Sequence, residues 1–184
     1  MSESLSNLLM SHNHYVDFKI KKEPWNIYKF EDGTLYKSRF ILIMAHFEKK
    51  TEELIQEMID SGEKEIKVGT GIGIKHQVLT GVSTPESLMG TPSLNSDIVL
   101  SDHIIQEDLD FEPINEPFFE YEFENGFTLK GKVVLMNVDK TDVFDQSGMP
   151  VYLVNNTVEA KVKLPPKIKS KIVKKKSKKT WLNL

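Results

Sequence analysis

The chain has 184 residues, a net charge of −3 and no cysteine. Its length allows one domain or two small ones, and its apolar content is that of an ordinary soluble protein, not of a disordered or collagen-like chain. Without cysteine there is no disulfide, thiolate metal site or thiol nucleophile. Arg39 is the only arginine among 24 basic residues, which argues against bidentate guanidinium recognition of phosphates or bases.

The first fourteen residues, MSESLSNLLMSHNH, have no basic n-region and only a three-residue apolar run. They are expected to form a flexible N-terminus, not a signal peptide. The longest apolar run, Phe40 to Ala45, is far too short to span a bilayer. A soluble, cytoplasmic protein is the expectation. His12 and His14 form an H-x-H pair with no third ligand near them in the chain, and His46, His76 and His103 are scattered. No metal site and no cofactor is expected from them.

From residue 16 onward the chain repeats itself. Residues 16–43 lie over residues 109–136 without a gap, at an offset of 93, with ten identities among 28 pairs. Identical pairs include Asp17/Asp110, Phe18/Phe111, Glu23/Glu116, Pro24/Pro117, Tyr28/Tyr121, Phe30/Phe123 and Gly33/Gly126. Further on the offset drops to 80, placing Ile72, Val78, Val82 and Pro85 over Tyr152, Val158, Val162 and Pro165. The first copy therefore carries about 13 extra residues, the difference of the two offsets. The segment Thr51 to Gly62 supplies them: Leu54, Ile55, Met58 and Ile59 fall at one-face helical spacing, with Thr51 as N-cap and Gly62 as stop. The chain thus divides into a first repeat over 15–92 with a helical insert near 51–62, a connection over 93–106, a second repeat over 107–168, and a tail over 169–184.

Each repeat reads as strands. The pairs Asp32-Gly33 and Asn125-Gly126 predict two-residue type I′ hairpins. Phe119, Tyr121 and Phe123 alternate with Glu120, Glu122 and Glu124, the pattern of a half-buried strand. The runs FILIMA and VVLM predict central strands covered on both sides. One repeat alone buries too little, so the expected fold is mainly β: a tandem-duplicated strand unit forming a pseudo-two-fold β-barrel or sandwich around one shared core.

Three differences between the repeats mark candidate sites. Gly69, Gly71 and Gly73 are predicted to share one face of a strand, at positions where the second repeat has Met149, Val151 and Leu153. Such a bare face admits a ligand or partner, or the close packing of the chain's own strand or helix. Second, Lys19 and Lys29 match Glu112 and Glu122, so the repeats carry opposite charge. Neighbouring strands would turn these into cross-strand pairs; outward placement would give two poles suited to head-to-tail self-association. Third, Lys167, Lys169, Lys171, Lys174, Lys175, Lys176, Lys178 and Lys179 form a run without an acid, followed by Trp181. That run contributes +8 and leaves −11 on residues 1–166. It reads as a solvated or self-docking tail, a polyanion-binding arm for nucleic acid, a protein-partner site, or a surface for anionic lipid.

No H-E-x-x-H, G-x-S-x-G or serine–histidine signature is present, and no catalytic residue is assigned. The enzyme alternative rests on duplicated carboxylates, Asp17 with Asp110 and Glu23 with Glu116, brought together by the pseudo-axis to hold a cation or share a proton. The leading expectation is a non-enzymatic binding or scaffold protein.

Overall fold

The computed structural model describes residues 15–48, 51–63, 65–69 and 71–166. The chain runs β1 (Tyr15–Val16), β2 (Phe18–Lys22), β3 (Asn26–Phe30), β4 (Leu35–Phe47), α1 (Thr51–Ser61), β5 (Glu65–Lys67) and β6 (Ile72–Ser83). It continues through two short 3-10 turns to β7 (Ile104–Gln106), β8 (Phe111–Asn115), β9 (Phe119–Phe123), β10 (Thr128–Phe144) and β11 (Pro150–Lys163).

These strands form two antiparallel sheets. The first has β8, β3, β4 and β6 in spatial order, with β1 also on β4. The second has β2, β9, β10, β11 and β5 in order, with β7 also on β10. Of the two expected architectures, the closed barrel is not formed among the described residues. The sheets pack face to face, with the rings of Phe40 and Phe119 stacked 3.9 Å apart.

Strands β2 and β8 exchange between the two halves of the chain. β2 pairs with β9, setting Phe18 opposite Phe123 and Ile20 opposite Tyr121. β8 pairs with β3, setting Phe111 opposite Phe30 and Pro113 opposite Tyr28. With β5 on β11, the second sheet holds two strands from the first half of the chain, and the first sheet holds one, β8, from the second half. The same registers set Lys19 opposite Glu122 and Lys29 opposite Glu112, so the charge reversal becomes cross-strand pairing.

Both hairpin turns differ from the expected type I′. Phe30 N–H donates to Thr34 O, Gly33 N–H donates to Phe30 O, and Phe123 and Gly126 repeat this toward Phe127 and Phe123. Gly33 (φ 90°) and Gly126 (φ 82°) are left-handed, whereas Asp32 and Asn125 are not. These are three-residue loops closed by a glycine bulge. The sequence pair Asx-Gly suits both turn types; the third loop residue, Glu31 or Glu124, decides.

The expectation of strands covered on both sides also fails. Phe40, Leu42, Val133 and Leu135 are buried, while Ile43 and Met136 stand exposed. A register shift falls at Leu42/Met44 in β4 and at Leu135/Asn137 in β10, so Ile43 and Met136 are bulge residues turned out of the ladder.

α1 forms where its apolar spacing predicts, and it sends Ile55 and Met58 into the larger core cluster beside Phe47, Ile72 and Phe127. Its stop is Gly62, at φ 81°, whose N–H bonds to Met58 O. Thr51 departs from the expected N-cap role: its hydroxyl lies 2.6 Å from Glu48 O and also bonds to Gly71 O, so it acts as donor. A second cluster gathers Tyr28, Phe30, Tyr36, Leu109, Leu135, Val138 and Tyr152. Among the described residues no helix is long and apolar enough to cross a membrane.

Candidate functional site

The segments joining β2 to β3 and β8 to β9 carry the chain from one sheet to the other. Pro24 and Pro117 hold the preceding glutamates in extended geometry, which leaves Glu23 and Glu116 between the sheets. Glu23 accepts from the Tyr121 hydroxyl (2.5 Å) and pairs with Arg39 (2.6 Å). Glu116 accepts from the Tyr28 hydroxyl (2.6 Å) and pairs with Lys132 (3.2 Å). Every member of the first cluster is matched in the second at a spacing of 93 residues.

Each tyrosine also repairs the bulge of the facing sheet. Leu42 N–H donates to the Tyr121 hydroxyl (3.1 Å), and Leu135 N–H donates to the Tyr28 hydroxyl (3.3 Å). A bulge leaves a backbone donor outside its ladder, and an unpaired buried amide costs about 1–3 kcal/mol. The phenol removes that penalty and hands its own proton to a carboxylate. Burial first, and then the bond to the glutamate, pushes both phenols well above their ordinary range. The Tyr28 hydroxyl and then the Lys132 ammonium hold the Glu116 carboxyl below the ordinary carboxylate range, against its burial.

A third cluster occurs once. Asp32, in the first hairpin turn, accepts from Lys140 (2.7 Å), from the Tyr152 hydroxyl (2.8 Å) and from Thr34 N–H (3.0 Å). Its burial favours the neutral acid, but these donors outweigh it and lower the pKa.

Between the two crossing segments lies an open cleft of about 450 Å³, walled by Pro24, Pro117 and Phe118 with Lys22, Glu120 and Lys130 around it. Lys130 sits 4.9 Å above the Phe118 ring, and Arg39 5.8 Å above the Trp25 ring. The cleft is shallow and its charges are mixed.

The glycines are not a row on one strand face. Gly69 and Gly71 take φ of +86° and +78°, so they belong to the turn before β6, and Gly73 alone lies in the strand. A Cβ on Gly71 would meet the Leu54 side chain at 2.6 Å, and one on Gly73 would meet the His46 ring at 2.1 Å. What comes close to those two backbones is the chain's own helix and β4. Gly69 alone opens onto free space.

The expected polyanion-binding arm is not placed. Lys167, Lys169, Lys171, Lys174, Lys175, Lys176, Lys178 and Lys179 all lie outside the described residues, which end at residue 166. Trp181, His12 and His14 lie outside them too. Asp17 and Asp110 contribute backbone: their carbonyls accept from Glu124 N–H and Glu31 N–H, each at 2.9 Å. No group of three or more acids or histidines stands close enough to hold a metal among the described residues.

Sequence reading named the glutamates without their partners. The matched Tyr28/Tyr121 and Arg39/Lys132 pairs were the available signal, since a repeated tyrosine and a repeated cation can serve a repeated acid. Comparison with protein-family models, with curated proteins and with solved structures finds no match.

Proposed function

We propose that this chain is a non-enzymatic binding or scaffold protein, built as a duplicated β unit whose halves turn about a pseudo-two-fold axis and share one folded domain. The observation that carries this reading is the commitment of Glu23 and Glu116. Each is bonded to a tyrosine of the facing sheet and to a cation, which leaves neither free to act as base, nucleophile or ligand. Support for the duplication comes from the reciprocal strand pairing and from the repetition of cluster, bulge and turn at one offset. Contacts with partners then fall to what the first unit adds, namely the α1–β5 insert and the Gly69 turn, and to the open edge of β6.

The test is thermal unfolding of the full chain during titration with calcium, magnesium or manganese, and of the variants Glu23→Gln and Glu116→Gln. A scaffold shows no metal-dependent rise in Tm, and each variant lowers Tm. A rise in the parent that either variant abolishes would replace the scaffold reading by a metal site. Nucleic-acid association through the lysine run is the second reading, favoured by eight lysines from Lys167 to Lys179 without an acid among them. Deleting residues 167–184 should then abolish salt-sensitive binding to a random oligonucleotide.

A further inference from the structure

The edges of the two sheets are treated unequally. At one end of the second sheet, β2 carries Lys19, Lys21 and Lys22, and lysines on an edge discourage strand addition. At one end of the first sheet, β8 carries Pro113 opposite Tyr28. The turn bond from Phe30 N–H to Thr34 O directs the Tyr28 amide to β4, so the Pro113 nitrogen faces outward, where it offers no donor. β11 is covered by β5 over Lys161–Lys163 only; over Pro150–Ala160 it pairs with β10 alone among the described residues, and that stretch starts with a proline and carries Glu159. β6 is the long edge of the first sheet. It runs twelve residues, IGIKHQVLTGVS, with Lys75 as its only formally charged residue, and among the described residues only β4 pairs with it.

The phase of its hydrogen bonds follows from the same turn. The backbone groups of even-numbered residues at the start of β4 point away from β6, as the bond from Leu42 N–H to the Tyr121 hydroxyl also requires. Odd-numbered residues of β6 therefore serve β4, and the backbone groups of Ile74, His76, Val78, Thr80 and Val82 face outward. Those five are the rungs available to a new strand.

We propose that this edge is the seam of a homodimer, β6 against β6 of a second copy, antiparallel and centred on Val78. The register is self-complementary. On the core side Val78 meets its own equivalent, Ile74 meets Val82 and His76 meets Thr80. On the outer side Gln77 meets Leu79, which is 40% exposed in the single chain, and Lys75 meets Gly81. The two copies of Lys75 stand about 20 Å apart along the seam, at about 3.3 Å per residue, well beyond the screening length of about 8–10 Å. A strand that is apolar against apolar, small against charged and nowhere like-charged fits a second copy of itself better than an unrelated extended peptide. The inference deepens the scaffold reading by naming its partner. It does not depend on the duplication, so the two fail separately.

Sedimentation of the full chain at micromolar to hundred-micromolar concentration tests it, together with three variants. The parent should double in mass. Leu79→Lys places two lysines beside the dimer axis, and Thr80→Pro removes one outward N–H without touching the β4 ladder; both should be monomeric with an unchanged far-ultraviolet spectrum. Because the chain has no cysteine, Val78→Cys gives a direct check. Antiparallel bonded pairs stand about 5.5 Å apart at Cα, within disulfide reach, so oxidation should link two chains, whereas Leu79→Cys should not. A parent that stays monomeric, a dimer indifferent to both β6 variants, or amides of Val78 and Thr80 protected from exchange in the monomer would overturn the proposal. The last outcome would mean that another part of the same chain occupies the edge.

Discussion

The two hairpin turns share a backbone and differ in what they face. In the first, Asp32 gathers Lys140, Tyr152 and Thr34 into a polar clamp. The positions that match them around the second turn are Asn125, Phe47, Ile72 and Phe127, and there Phe47 packs on Phe127 at 5.1 Å. Each turn glycine meets a proline, Gly33 against Pro85 and Gly126 against Pro165. One geometry therefore supports two kinds of closure. The apolar end is sealed further by α1, whose Ile55 and Met58 join Phe47, Ile72 and Phe127. Among the described residues the polar end has no such helix and is held by directed bonds instead. The insert and the apolar triad belong together: an exposed Phe47 would need a cover, and a charged clamp needs none.

Substitutions can break this contrast. The largest effect is expected at the apolar end, where Phe127→Ala should cost about 3–5 kcal/mol, as buried phenylalanine truncations do, read by urea denaturation. Thr34→Ala, its counterpart, should cost about 1 kcal/mol. If the two losses were alike, the ends would not differ in kind.

Next comes Asp32→Asn, which leaves Lys140 without its counterion and should cost about 2–3 kcal/mol at neutral pH. Because the Asp32 pKa is lowered on folding, its contribution is complete above the ordinary aspartate pKa of about 3.9. It is lost as pH falls through the depressed value. The Tm difference between parent and variant should therefore close as pH falls progressively below the ordinary aspartate value, and a difference that persisted in strong acid would show that the charge is not what the clamp uses.

Tyr28→Phe and Tyr121→Phe should each cost about 1–3 kcal/mol, since each strands a bulge amide, and the two losses should agree. Both phenols are raised on folding, so what they contribute is complete below about pH 10 and lost as pH rises beyond it. Either variant should flatten the fall of Tm above pH 10. Unequal losses would sharpen the comparison by showing that Asn26, whose amide donates to Val133 O (2.9 Å), supports one cluster where Phe119 stands in the other. The smallest effect is expected for Lys21→Ala. Its pair with Glu122 at 2.5 Å is solvent-exposed, and Tm should not change measurably.

Much of the strand layout was legible because alternation and the repeated Asx-Gly pairs record local geometry. Tyr28 and Tyr121, Phe30 and Phe123 fall where the repeat puts them, buried on matching strands. The exchange of β2 and β8 was not legible, since pairing between distant strands leaves no local pattern; the charge reversal at Lys19/Glu112 and Lys29/Glu122 was its one trace. Gly69 and Gly71 misled for a related reason. Alternate glycines fit a bare strand face and a left-handed turn equally well, and only the docking of α1 on Gly71 separates them. The continuous apolar runs promised two covered faces because a bulge that turns Ile43 or Met136 outward has no sequence signature of its own.

The exchanged strands carry a consequence for how the protein is made. β2 leaves the ribosome early, yet its partner β9 is about a hundred residues behind it, so the N-terminal half emerges with β2, and the short β5 as well, unmatched. Long-range pairing of this kind slows folding and extends the life of sticky intermediates. The lysines of β2 keep that waiting strand soluble until Phe123 arrives to meet Phe18.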